Sequence, residues 1–508
     1  MNKAAFSLAV AGAIVLGLAF RLASLDLRPM HHDEANQAVR FGQLLETGDY
    51  RYDRYDHHGP TLYYLTLPAA WMRGQTTLAS LDEWTLRLVP ALFGAGFLLL
   101  LPLMARGLGR TAVAAGTLLA ALSPALTYYS RFYIQEPALL FFVVGFLIAL
   151  GRYAEEGQVA AVLAAGVFAG LAVATKETAA LILLAAVAAC AAARASMGRP
   201  RVRLVPVIAG LIIAAAIALT FYSSFFTNPL GVSQAIQAVA VYSQRGLEPG
   251  THGEPWNYYI RLLTYSASGG LVWTEALVLG LALIGAAFAW KKRTGGFWPR
   301  YICLYSALTL AAFSAVPYKT PWNLLPFYGG CVVLAGFGAA QLVGLMRSRA
   351  ARALLALALL AASAHLGVQN WRANFRYPAD PRNPYVYAQT SADFLRLVTR
   401  VAGVSRVHPD RDRMLIAVVA GPYEQWPLPW YLRRMERVGY WTSANWVGAL
   451  DPVPFIIASS DFADAVAATL GDRYVAEHYG LRPGVLLTVF IERGLWDRFM
   501  ARSDPDSR

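Results

Sequence analysis

Four consecutive residues, His31, His32, Asp33 and Glu34, set two imidazoles beside two carboxylates just after the first long apolar run. Two more imidazoles, His57 and His58, follow in the same inter-helical stretch, so four of the chain's eight histidines fall in one segment. Such a cluster suits proton transfer: a carboxylate such as Asp33 can take the proton of a hydroxyl as that hydroxyl attacks an electrophilic carbon. His31, Asp33, His57 and His58 also offer nitrogen and oxygen ligands of the kind that zinc or manganese accepts, but at no fixed ligand spacing. The sequence therefore permits a divalent metal without requiring one. The other use open to His57 or His58 is hydrogen bonding to a phosphate or an acceptor, and the role of His31 and His32 stays open.

Three short turns elsewhere carry ionisable groups at the ends of apolar runs. "YYSRFYIQEPALLFF" places Arg131 and Glu136, "ATKETAAL" places Lys176 and Glu177, and "PYKTPWN" places Lys319. Charge at the end of a membrane span is costly unless it snorkels or pairs, so each group is a functional candidate by default. Arg131, Lys176 and Lys319 could offset the charge of a lipid-linked phosphate, which then leaves as the hydroxyl attacks.

The elements that must position these groups are membrane spans. Hydrophobic residues make up 57% of the 508 and charged residues only 15%, with 13 Trp and 26 Tyr to supply interfacial rings. Apolar runs of about the spanning length occur at 4–22, 86–105, 111–129, 136–151, 159–175, 178–194, 204–222, 270–290, 300–316, 323–346 and 351–370. The sequence thus predicts a polytopic α-helical membrane protein with about 11 spans. The net charge of +13 concentrates in alternate gaps, around Arg106–Arg110, Arg194–Arg203, Lys291–Arg300 and Arg347–Arg352. That bias puts the N-terminus in the cytoplasm and reports topology, not a nucleic-acid face. Arg131, Lys176 and Lys319 lie on the opposite, outer side, against the bias. Cys190, Cys303 and Cys331 all sit in apolar runs, which excludes a disulfide framework or a cysteine-rich metal site.

The first run follows Lys3 but lacks an A-x-A-like cleavage site, so it is expected to stay as a span. Residues 23–85 then form an outer loop in which "NQAVRFGQLLETG" has helical spacing and "DRYDHHGPTLYYLTLPAAWM" returns the chain to the membrane. In a second outer loop, 223–269, the Gly and Pro of "VYSQRGLEPGTHGEPWNYY" favour irregular structure. Beyond 371 the composition becomes mixed. "MLIAVVA", "PFIIASS" and "VLLTVFIE" have strand character and "SADFLRLVTRVAGV" and "FADAVAATLG" helical character, predicting a small exoplasmic α/β domain over 371–508.

Two functions compete for such a one-sided polar face. One-sided chemistry on a lipid-linked anion needs charges at one membrane face, whereas a lipid-linked sugar flippase, or an accessory to one, needs polar groups continuing through mid-membrane. Uncharged interiors such as "AGFLLLLPLMA" and "AVLAAGVFAGLAVA" favour the chemistry.

The acidic pair directly after the first span, the "RFYIQEPALLFF" turn and the "TKE" turn together resemble the GT-C superfamily of polytopic glycosyltransferases, in particular its protein O-mannosyltransferase and aminoarabinose-transferase class. Within that class "HHDEA", "HHGPTLYYL" and "YKTPWN" are similar to the flippase-activity-associated family of archaeal-type glycosylation. The resemblance covers residues 1–370 and implies a GT-C transmembrane domain that uses a polyprenyl-phosphate-linked sugar, not a nucleotide sugar. It implies Asp33 as the general base of an inverting transfer with Glu34 as its neighbour. Glu136 falls where many relatives have Asp, and Lys176 where relatives hold the lipid phosphate. The acceptor it leaves open is a protein, a lipid or a glycan.

Overall fold

The computed structural model describes residues 1–55, 58–197, 203–248, 250–443 and 452–502. An N-cap at Asn2 starts α1 (Lys3–Leu22), an apolar helix of 20 residues. The first loop folds into α2 (His32–Thr47), ended by Gly48 in the left-handed region, and α3 (Thr61–Met72). The helix of this loop therefore begins at the second residue of the polar cluster, not after it as the spacing suggested. α4 (Glu83–Leu100) runs through a 3-10 turn, Leu101–Met104, into α5 (Ala105–Leu108).

α6 (Arg110–Leu122) and α7 (Pro124–Ser130) form one apolar stretch bent by 59°. Pro124 has no N–H to continue the ladder, while the Ser123 hydroxyl accepts from the Leu126 N–H and starts the second piece. Then follow α8 (Glu136–Glu156), α9 (Val159–Val173), α10 (Ala179–Ala195) and α11 (Leu204–Tyr222). The second loop holds α12 (Leu230–Leu247), α13 (Tyr258–Thr264) and a hairpin of β1 (Ser266–Ser268) and β2 (Leu271–Trp273). It is thus more ordered than its Gly and Pro content suggested, because α12 takes only Gly231 in its first turn and Gly246 in its last, and the other breakers flank it. The body closes with α14 (Ala276–Ala289), α15 (Phe297–Ala315), α16 (Leu325–Leu345) and α17 (Arg349–Trp371).

All eleven apolar runs are helical in part or whole, but among the described residues only six helices are long and apolar enough to cross a membrane, seven with the bent pair. α9, α10 and α14 are apolar but have only 15, 17 and 14 residues, below the roughly 20 that a straight span needs. The protein is a multi-pass membrane protein, and small residues set its helix packing. A Cβ on Gly336 would lie 2.3 Å from the Ala112 carbonyl, one on Gly338 2.1 Å from that of Leu281, and one on Gly166 2.3 Å from that of Gly210. Close backbone approach of this kind replaces the hydrophobic drive that lipid cannot supply.

The two ends of the bundle differ. At the basic end, Arg300 donates to Ser196, Trp298 to Glu155 and Arg152 to the Leu103 carbonyl. At the other end the first loop, the turns before α8 and α10 and the turn after α15 are gathered with the chain beyond α17.

That later chain begins as a strap. Asn383 donates to the Ala373 and Tyr377 carbonyls, Tyr385 to Glu275, Gln389 to the Pro29 carbonyl and Thr390 to that of Met30. By these bonds residues 377–390 belong to the helical body. The small domain proper contains α18 (Ala392–Ser405), β3 (Ile416–Val419), α19 (Leu428–Tyr431), β4 (Val438–Trp441), β5 (Phe455–Ser459), α20 (Ser460–Leu470), β6 (Tyr474–Arg482), β7 (Val485–Glu492) and α21 (Arg493–Arg502). Its sheet has the order β4-β3-β5-β7-β6, parallel on either side of β3 and antiparallel on either side of β7. Phe394, Leu397, Val401 and Leu495 pack on one face, and Val466 and Leu470 of α20 on the other. The domain docks on the first loop: Trp430 Nε1 donates to Glu83 at 2.8 Å, Arg433 to the Leu81 carbonyl at 2.8 Å, and the Met30 N–H to the Tyr431 hydroxyl at 2.9 Å.

Candidate active site

The polar cluster divides its work residue by residue. His31 is the N-cap of α2: its Nδ1 accepts from the Asp33 N–H at 3.0 Å, and the Glu34 carboxylate accepts from the His31 N–H at 3.0 Å. This is a capping box with an imidazole where serine or threonine is usual. Because Nδ1 accepts, Nε2 carries the proton and donates to the Tyr387 carbonyl at 2.9 Å. With both nitrogens engaged and the ring against Phe132 and Trp322, His31 is a structural cap, which corrects its assignment to an acceptor or a metal.

Glu34 is likewise not a reacting group. It is fully buried and pairs with the equally buried Arg87 of α4, and it also accepts from the Tyr133 N–H at 2.9 Å. Arg87 donates in addition to the carbonyls of Leu25, Arg28 and Pro29. Burial alone would raise the Glu34 carboxyl, but Arg87, and behind it Arg28, outweigh it and hold it at about 2. Glu34 thereby ties the start of α2 to α4 and to the turn before α8, and fixes where its neighbour sits.

That neighbour, Asp33, keeps 42% of its side chain exposed at the N-terminus of α2, where the helix dipole favours an anion. Desolvation opposes its charge, yet His31, His32, His58 and Lys176 together hold the carboxyl below its ordinary range. Its charge is felt in turn by His252, Tyr318 and Tyr387. Asp33 is the ionised, accessible carboxylate of the cluster.

A lysine–carboxylate pair and a histidine–carboxylate pair lie near it. Lys176 is bonded to Glu136, both almost wholly buried. The adjacent Glu177 accepts from His58 Nδ1 at 2.9 Å and from the Tyr52 hydroxyl at 3.0 Å, and its carboxyl lies below the usual value because His58 outweighs its burial. A Cβ on Gly59 would lie 2.2 Å from the Ala174 carbonyl, so glycine there lets the His58 segment press against the Lys176 turn.

The other two basic residues are placed differently. Arg131 donates to the carbonyls of Phe20, Arg21, Ala23 and Ser24, the unsatisfied C-terminal end of α1. Lys319 donates to the carbonyls of Val316 and Glu254. Both are engaged by backbone, which explains their exception to the charge bias and removes them from the phosphate role expected of them. His57 lies outside the described residues. His32 stacks with Tyr423 and lies tilted against Trp426 of the C-terminal domain, at centroid distances of 6.2 and 6.0 Å.

Sequence reasoning missed Arg87, Glu177 as the partner of His58, His252, and the aromatic residues Tyr387, Tyr423 and Trp426. Glu177 was visible next to Lys176; the others lie in runs whose composition carries no local signal. Among the described residues no group of three or more His, Cys, Asp or Glu side chains converges on a metal-holding point. What remains is an ionised, part-exposed carboxylate, Asp33, beside a lysine and an imidazole that could meet an anion.

Comparison with known proteins sets this geometry in a family of folds. The sequence pattern of dolichyl-phosphate-mannose-protein mannosyltransferases matches residues 66–225, which include Arg87, Glu136, Lys176 and Glu177. ArnT from Cupriavidus metallidurans bound to undecaprenyl phosphate superposes with a TM-score of 0.64 at 16% identity, over 96% of this chain and 98% of that one. The chain shares the fold of that protein. The Archaeoglobus fulgidus oligosaccharyltransferase tethered with an acceptor peptide shares this fold at 0.61 and 13% identity, over 94% of this chain and 69% of that one. AglB from the same organism, in complex with an inhibitory peptide and a dolichol-phosphate, matches at 0.59 and 12%, over 97% and 77%. No curated protein sequence matches the chain.

Proposed function

We propose that the protein is an inverting membrane glycosyltransferase that moves a sugar from a polyprenyl-phosphate donor to a hydroxyl acceptor, with Asp33 as general base. The observation that carries this reading is the setting of Asp33: ionised, part-exposed, and next to Lys176 and His58 at one end of a GT-C bundle. The acceptor oxygen attacks the anomeric carbon, its proton passes to Asp33, and the bond from that carbon to the phosphate oxygen breaks with its electrons on the phosphate. The lipid phosphate leaves as an anion that Lys176 meets by exchanging Glu136 for a phosphate oxygen. His58, steadied by Glu177, donates to the same group.

The neighbours determined with undecaprenyl phosphate and dolichol-phosphate support a lipid-phosphate donor. The charge bias of the loops supports a cytoplasmic N-terminus, an outward-facing site and an exoplasmic 371–508. Charged groups clustered at one end of the bundle support chemistry over flipping.

The test is incubation of the purified protein with radiolabelled polyprenyl-phosphate sugars, following label into membrane and protein fractions. Transfer by the wild type and none by Asp33→Asn is the expected result. Transfer by a folded Asp33→Asn protein would remove Asp33 as base, and label crossing the bilayer without leaving the lipid would replace transfer by flipping.

A further inference from the structure

Several rings lie near enough to the Asp33 carboxylate to feel its charge. His252, Tyr318 and Tyr387 sense its charge, and His252 stacks near Tyr318 and Tyr387 with centroids at 4.9 and 5.9 Å. His32, the residue before Asp33, lies nearly parallel to Tyr423, their planes 27° apart. Tyr423 and Trp426 come from the C-terminal domain, from a short loop between β3 and α19.

Tyr423 is 70% exposed, yet its loop is pinned. The Glu424 and Gln425 N–H groups both donate to the Gly421 carbonyl at 3.1 Å, which closes the turn. Glu424 pairs with Arg482 at 3.7 Å, and Arg482 also donates to the Tyr423 carbonyl at 3.5 Å. A large ring held out in solvent in a fixed orientation beside Asp33 offers an apolar face that a ligand can cover.

The chemistry around the ring narrows the ligand. The carboxylate next to it in the chain is paired, Glu424 with Arg482. The polar groups at this edge are the phenol of Tyr318 and a His252–Tyr387 pair in which His252 Nδ1 and the Tyr387 hydroxyl bond each other. An aromatic face backed by an imidazole, with neutral hydrogen-bonding groups at its rim, fits a pyranose ring. The C–H face of such a sugar is apolar, and its edge carries hydroxyls that both donate and accept.

We infer that Tyr423, with Trp426 beside it, is the platform for a sugar ring of the acceptor, so that the acceptor of this protein is a glycan or glycolipid hydroxyl selected by the C-terminal domain. The inference rests on the transfer reading above. It assigns the loop 421–426 a binding function of its own.

The experiment is saturation-transfer NMR on the full-length protein in lipid nanodiscs, with methyl β-D-glucopyranoside, methyl α-D-mannopyranoside and a serine- and threonine-containing hexapeptide as probes. Saturation is expected to reach the ring C–H protons of a glycoside, to be lost in Tyr423→Ala and to be kept in Tyr423→Phe, which retains the face and removes only the hydroxyl. No transfer to either glycoside, transfer undiminished in folded Tyr423→Ala, or transfer to the peptide alone would overturn the inference. In the transfer assay Tyr423→Ala is expected to raise the acceptor KM about tenfold with donor KM unchanged. Glycoside binding that depends on Tyr423 in a protein that transfers no sugar would retain the platform and overturn the transfer reading alone.

Discussion

Arg87 and Glu34 meet through two parallel bonds, Nε to Oε1 at 2.7 Å and Nη2 to Oε2 at 2.8 Å, with both side chains fully buried. Removing one partner leaves the other charge buried and alone. Arg87→Met or Glu34→Gln is therefore expected to destabilise the fold by about 3–5 kcal/mol, read as a lowered Tm by tryptophan fluorescence in detergent. A Tm within a degree or two of wild type for both variants would show that the pair does not hold the first loop.

The same pair sets an acid limit. Glu34 has a folded value of about 2 against an ordinary 4.5, so its contribution is complete above about pH 4.5 and is lost as pH falls toward 2. At neutral pH that contribution is about 3 kcal/mol. Thermal stability should fall over this window in wild type and fall less steeply in Glu34→Gln, which has no proton to gain there.

Asp33→Asn is expected to lower transfer about 10²- to 10⁴-fold while donor binding and Tm stay near wild type, because the side chain is part-exposed and holds no other element. Since its carboxyl lies below the ordinary 3.8, the base is ionised across the neutral range. The acid limb of the kcat/KM profile should fall below that value. A limb near pH 6 would point to an imidazole as the base.

Lys176 and Arg131 should separate cleanly. Lys176→Ala is expected to weaken binding of the polyprenyl phosphate about tenfold or more. Arg131→Ala, which frees four carbonyls at the end of α1, should lower Tm and leave donor affinity unchanged in the protein that folds. Equal effects of both on donor affinity would return Arg131 to the phosphate site.

Glu136→Gln tests the exchange directly. With its carboxylate neutralised, Lys176 no longer has a competing anion, and donor phosphate affinity is expected to rise by about threefold or more. A loss of affinity would mean that Glu136 positions Lys176 for the phosphate and does not compete with it.

Much of this protein was legible as a string of residues. Apolar runs, the alternation of basic gaps and the strand-length stretches at 414–420, 454–460 and 485–492 are local patterns, and helices and β3, β5 and β7 form there. The first-loop motif stood out because charge beside a membrane span is rare. What no local pattern carried was the division of labour inside that motif. His31, Asp33 and Glu34 are near neighbours in the chain, yet one caps a helix, one faces solvent and one is buried.

That division depends on what each residue meets across the fold: Tyr387, 356 residues away from His31, and Arg87, 53 away from Glu34. The same holds for Arg131 and Lys319, whose charges looked available until the carbonyls of neighbouring segments were seen to use them. β4 and β6 escaped notice because edge strands are only half-buried and carry a weak alternation. The sequence alone determined the membrane class, the helix order and the segment where chemistry is concentrated, because hydropathy and charge are properties of single residues. Only the tertiary structure decided which carboxylate stays open, which cations stay near it, and that a loop of the C-terminal domain reaches its edge. Pairing and desolvation are properties of the partners brought together.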